Sequence, residues 1–149
     1  MILLTAHKRN PGDSFKRQEE SWRRAYMQAP SLRDRFPGIQ QLVAEMNFMD
    51  MSGMGRYSAQ MRSFSPAAKA FFAIPCPRTL CLDGGFDLDA VIGRLIAARK
   101  TAVAGTLECA GWIGPSRSGH ANCRLRLSYE IRAEYSALAP GGSDGRLQV

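Results

Sequence analysis

The residues of this chain best suited to chemistry are its four cysteines, Cys76, Cys81, Cys109 and Cys123. All lie in the central part of a 149-residue sequence. Four thiolates at about 2.3 Å around one ion form the closed tetrahedral arrangement of a structural metal site, most often zinc. Two disulfides are the competing chemistry, and they need an oxidising compartment. The chain opens Met1-Ile2-Leu3-Leu4-Thr5-Ala6-His7-Lys8-Arg9. Its four apolar residues fall short of the roughly 7–15 in a secretory signal. The expectation is a cytoplasmic protein with reduced thiols. A third arrangement, four small thiols buried without any metal, is ordinary cysteine behaviour.

A catalytic metal would need an open coordination position and a general base. Pro75-Cys76 followed by a second cysteine is part of the zinc-deaminase pattern. That pattern also requires Pro-Cys-x2-Cys and an upstream His-x-Glu. Here the cysteine gap is four residues, and the upstream histidine, His7, is followed by Lys8-Arg9. With two histidines in the whole chain, Ser–His and Cys–His catalysis are also poorly supplied. The chain is therefore expected not to be an enzyme. His120, three residues before Cys123, stands as an alternative fourth ligand.

The cysteines need a scaffold. Ser14 suits the cap of a helix to about Gln28, with Phe15, Trp22 and Tyr26 on one face. Ser31-Leu32-Arg33-Asp34 has the pattern of a short capped turn. Residues 39–49 alternate as a strand, and 50–66 are expected to be a Met-, Gly- and Ser-rich loop. Lys69–Ile74 suggests a short strand ending at Pro75. Asp87 would cap a helix to about Lys100, with Val91, Ile92, Leu95 and Ile96 as its apolar stripe. Thr101–Cys109 suggests another strand. Arg124–Tyr135 alternates without interruption for twelve residues, so one face meets a core and the other meets water. The expected fold class is α+β: a mostly antiparallel four-stranded sheet, helices on one face, and the cysteines at one sheet end. The expected organisation is a flexible tail over 1–13, one domain over 14–136 and a disordered tail over 137–149.

This order supplies a reason for the cysteines to meet. If the 69–74 and 101–109 strands lay parallel, joined by the 87–100 helix, Cys76 and Cys109 would reach the same sheet edge. Cys123, opening the hairpin partner of the 101–109 strand, would sit beside Cys109. Cys76-Pro77 and Cys109-Ala110-Gly111 resemble the two turns of a zinc ribbon, and the resemblance spans roughly residues 69–135. It implies a closed zinc site with Cys76, Cys81, Cys109 and Cys123 as ligands. The spacing differs from the usual ribbon: the first pair is Cys-x4-Cys, the second Cys-x13-Cys, and a helix lies between them.

The remaining signals concern partners. Formal net charge is +7. Residues 1–37 hold eight basic against four acidic residues. Arg124, Arg126 and Arg132 lie on the wet face of the long strand, interleaved with Glu130 and Glu134. A basic helix and strand could follow a phosphate backbone. Trp112 and Arg117 in the 110–122 loop, with Arg124 and Arg126, form the candidate contact surface for a nucleic acid or a protein. The alternative is a protein–protein adaptor that uses Phe15, Trp22 and Tyr26 with the Met-rich loop. Met46, Met49, Met51, Met54 and Met61 are soft enough for Cu(I), but fit a pliable covering loop equally well. No run of apolar residues is long enough to span a membrane.

Overall fold

The computed structural model describes residues 11–50, 55–114 and 121–137, the side chains of 11–15 and 121 aside. Two helices open it, α1 (Pro11–Gln28) and α2 (Leu32–Arg35), followed by strands β1 (Ile39–Asp50), β2 (Gly55–Phe64), β3 (Ala73–Ile74) and β4 (Phe86–Asp87). Helix α3 (Asp89–Ala97) precedes β5 (Ala102–Glu108), β6 (Trp112–Ile113), β7 (Ala121–Asn122) and β8 (Leu125–Tyr135). Four strands form one antiparallel sheet in the order β2-β1-β8-β5. The α+β class expected from the sequence is the class observed.

Alternation builds this sheet. Leu42, Ala44, Met46 and Phe48 of β1 stand opposite Ala133, Ile131, Tyr129 and Leu127 of β8. All eight are buried. Leu32 of α2 and Val91, Ile92 and Leu95 of α3 belong to the same core. A one-residue slip would turn every one of these side chains outward, so burial fixes the register. On the opposite face Glu45 and Glu130 stand directly across from each other. Arg132 offsets their repulsion by reaching both, at 3.1 and 3.4 Å.

Three expectations are corrected. Residues 55–64 are a strand, not a loop: β2 pairs with β1 from Leu42↔Phe64 to Asp50↔Gly55, with a bulge after Phe48. Its exposure shows no clean alternation, because it is an edge strand with few apolar residues to place. The 69–74 strand shrinks to Ala73–Ile74 and pairs antiparallel with β4, outside the main sheet. The backbone before it is used elsewhere: Leu32 donates to the Ala68 carbonyl, Ala70 to Pro30 and Leu88 to Phe72. The parallel crossover therefore does not exist.

Other boundaries move slightly. α1 opens at Pro11, ahead of Ser14. α3 begins at Asp89, whose backbone N–H donates to Asp87 Oδ1. Ser31 caps α2 as its pattern suggested, accepting from the Asp34 N–H. The five methionines do not form one group: Met46 lies in the core, Met61 is 65% exposed, and Met51 and Met54 lie outside the described residues. The segments 1–10 and 138–149 also lie outside them.

Candidate metal centre

Four different chain segments deliver the cysteines to one end of the sheet. Cys76 comes two residues after β3, and Cys109 follows β5 directly. Cys123 comes two residues before β8, and its N–H donates to the Gly111 carbonyl. Cys81 closes a turn in which its N–H donates to Arg78. Next to it, Leu82 and Trp112 exchange a pair of backbone hydrogen bonds of 2.9 and 3.0 Å. That bridge ties the 76–85 turn to the 109–113 turn. Cys109 is brought toward Cys123 as expected, because β5 and β8 pair antiparallel. Cys76 arrives through the small β3–β4 ribbon instead of a parallel strand.

The four Sγ atoms all lie within 4.8 Å of one another. The closest pairs are Cys81–Cys109 at 3.5 Å and Cys76–Cys123 at 3.7 Å. Such separations suit four sulfurs around one ion: a tetrahedron with 2.3 Å bonds has edges of about 3.8 Å. Cys81, Cys109 and Cys123 are buried, and Cys76 is half-buried.

The surroundings also fit a sulfur-bound ion. Gly85 and Gly111 point backbone N–H groups at Cys109 Sγ, at 3.3 and 3.4 Å. A Cβ on Gly84 would collide with the sulfurs of Cys81 and Cys109, and one on Gly111 would collide with that of Cys81. Only glycine lets the backbone approach so closely. Arg78 bears on two of the sulfurs. Its backbone N–H bonds to Cys76, and its guanidinium interacts electrostatically with Cys123.

Charge is divided unequally among the thiols. Cys109 is held down to about 2 by the neighbouring Cys76 and Cys81 thiols, helped by the Gly111 and Gly85 amides. Cys76 is pushed up to about 12, chiefly by Cys109, with burial adding to the rise. Cys81 is raised by Cys109, by Cys76 and by burial. Like charges this close cannot ionise together without a cation. A bound divalent ion removes that obstacle, so these four cysteines could hold a metal.

The other candidate residues fall in three groups. Arg117 and His120 lie outside the described residues. Trp112 is half-buried and donates from Nε1 to Asp83 Oδ2 at 3.2 Å, so it braces the two cysteine turns. Arg124 and Arg126 line a groove of about 400 Å³ with Glu108, Cys109, Gly111 and Asn122. Arg124 is exposed, with φ +61°, whereas Arg126 pairs with Glu108 at 2.9 Å. Sequence reasoning missed Arg78, Gly84 and Gly85. The available signal was their position, two residues after Cys76 for Arg78 and three or four after Cys81 for the glycines.

The chain was compared with protein-family models, curated proteins and solved structures, and it matches none of them. Among the described residues, no helix is long and apolar enough to cross a membrane.

Proposed function

We propose that Cys76, Cys81, Cys109 and Cys123 hold a structural zinc ion in a zinc-ribbon-like centre, and that the stapled domain is a cytoplasmic, non-catalytic module that binds nucleic acid. The observation that carries this reading is the gathering of four thiols from distant parts of the chain within 4.8 Å. The backbone N–H groups aimed at sulfur support a thiolate state. All-sulfur ligation favours zinc or iron over the hard cations. No open ligand position is implied, since the cysteines alone complete a tetrahedron.

The nucleic-acid reading rests on charge. Lys16, Arg17, Arg23 and Arg24 of α1 are exposed, and none of them makes an ion pair among the described residues. The long strand adds less: Arg126 and Arg132 are paired with Glu108, Glu45 and Glu130. The basic track is therefore assigned to α1 and Arg124.

Native mass spectrometry of the untagged chain, before and after chelation, tests the metal. One zinc per chain, lost with chelator, is the expected result; a metal-free mass under mild reducing conditions would refute it. For the partner, affinity for single-stranded RNA or DNA should fall steeply between about 50 and 200 mM salt. A protein–protein adaptor is the second reading, favoured by a groove of about 500 Å³ lined by Trp22, Tyr26, Phe64 and Phe71. Binding through that groove would barely respond to salt. No affinity for either nucleic acid at low salt would end the first version.

A further inference from the structure

The cluster has a cation of its own. Arg78 follows Cys76 by two residues, and its side chain is 20% exposed. Its Nη2 stands 3.0 Å from Asp50 Oδ2 at the end of β1, and the guanidinium lies 5.6 Å from the centre of the Tyr57 ring. Yet Nε and Nη2 are shut off from solvent without a hydrogen-bond acceptor of good geometry among the described residues. Unpaired buried donors on a charged group are costly. The Cys123 sulfur interacts electrostatically with the same guanidinium. Four thiolates around a divalent ion carry a net charge of −2, and that charge is buried at this end of the core.

We propose that Arg78 is the outer-sphere cation of the metal centre, and that its buried guanidinium donates to the metal-bound sulfur of Cys123 while its backbone N–H serves Cys76. This inference rests on the metal-centre reading. One residue then links both sulfurs of the 3.7 Å pair Cys76–Cys123, and Asp50 and Tyr57 hold it in place from β1 and β2. Its role is positioning and electrostatic. An N–H donor draws electron density from a metal-bound sulfur, which makes it less reactive toward electrophiles and strengthens metal retention. The glycine amides do the same for Cys109, so the chain protects its sulfurs by two different means.

The test uses the full chain loaded with cobalt(II), whose sulfur-to-metal absorption reports the electron richness of the ligands. In Arg78→Met this band should move to longer wavelength. Metal affinity should fall by about 10–100-fold, and iodoacetamide should modify Cys123 faster. Arg78→Lys, which keeps one charged donor, should recover part of the shift. A packing role alone would not move the band. Should the methionine variant fail to fold, the unsubstituted chain loaded with ¹¹³Cd decides. There, scalar coupling between cadmium and an Arg78 side-chain N–H proton is expected, and its absence overturns the assignment. No sulfur-to-cobalt band in the unsubstituted chain would remove the metal centre and this inference together. A band that stays in place in Arg78→Met overturns the inference alone.

Discussion

At the scale of single residues, the glycines beside the sulfurs are the most exacting positions. Adding one methyl group at Gly111 would bring a Cβ against Cys81 Sγ, with the Gly84 Cα and the Leu82 carbonyl oxygen each at 2.7 Å. Two of those three neighbours are backbone and cannot rotate away. Gly111→Ala is therefore expected to destabilise the domain by about 1–3 kcal/mol through overpacking and to lower its metal content, read by urea unfolding and by metal analysis of the purified variant. Asp89 supports a milder prediction with a definite sign. Its carboxyl is held below the usual range, first by the hydrogen bond from Arg35 and then by that guanidinium's charge, at 2.6 and 3.0 Å. A depressed carboxylate contributes stability above its unfolded pKa, and that contribution is lost as pH falls through the lower folded value. Both side chains are about a third or more exposed, so the pair is worth only about 0.2–1 kcal/mol. Asp89→Asn should be less stable than the parent by that margin at pH 7, and the difference should close below about pH 4, in paired denaturant titrations.

At the scale of elements, legibility followed apolar periodicity. β8 could be seen in the sequence because Leu125, Leu127, Tyr129, Ile131 and Ala133 alternate with charged or polar residues, and all five are buried. β1 was recognisable for the same reason. β2 was not, because Gly55–Phe64 mixes polar and apolar residues, its Tyr57 and Met61 stay exposed, and its place in the sheet comes from the ladder with β1. Two adjacent aromatics such as Phe71 and Phe72 look like a buried strand in the sequence. In fact Phe72 is buried while Phe71 turns to meet Tyr26 edge-on at 5.7 Å. The cysteine site was legible as a set of residues but not as a route, since Cys76 depends on pairings of two residues that no periodicity signals. The chain's own use of α1 was also hidden: Gln18 donates to the Gly84 carbonyl at 2.6 Å, and Trp22 packs on Gly85. Helix α3 offers a clean check on local propensity. Gly93 lies mid-helix, and a Cβ there would meet nothing within 4 Å. Gly93→Ala should stabilise the domain by about 0.5–1 kcal/mol, seen as a raised urea midpoint with an unchanged slope; a loss of stability would show that the site is tighter than its geometry allows.

At the scale of the whole molecule, the domain has two parts with different sources of order. The main sheet is held by long ladders, and its core runs from Leu32 to Ala133 mostly through aliphatic and aromatic side chains, with Cys81, Cys109 and Cys123 in the same buried cluster. The sulfur end is built from the β3–β4 and β6–β7 pairs, each two residues long. Ribbons that short are not stable by themselves, so an ion held by the four cysteines would supply most of their order. Structural zinc in finger peptides contributes about 10–16 kcal/mol of apparent folding free energy. Here that free energy would act mainly on the sulfur end. Without the ion, the half-buried Cys76 and the buried Cys81 would be thiols and Cys109 a thiolate held by the Gly85 and Gly111 amides, so the remaining charge would lie at the sulfur end and not in the sheet. Chelation should accordingly unfasten one end and spare the other. In hydrogen exchange, the amides of Cys81, Gly85, Gly111, Trp112 and Cys123 should lose protection. Those in the middle of β1 and β8, from Leu42 to Phe48 and from Leu127 to Ala133, should keep theirs. A uniform loss across both groups would mean that the ion organises the entire fold and that the sheet has no independent stability. Unchanged protection at the sulfur end would mean that the short ribbons stand without it.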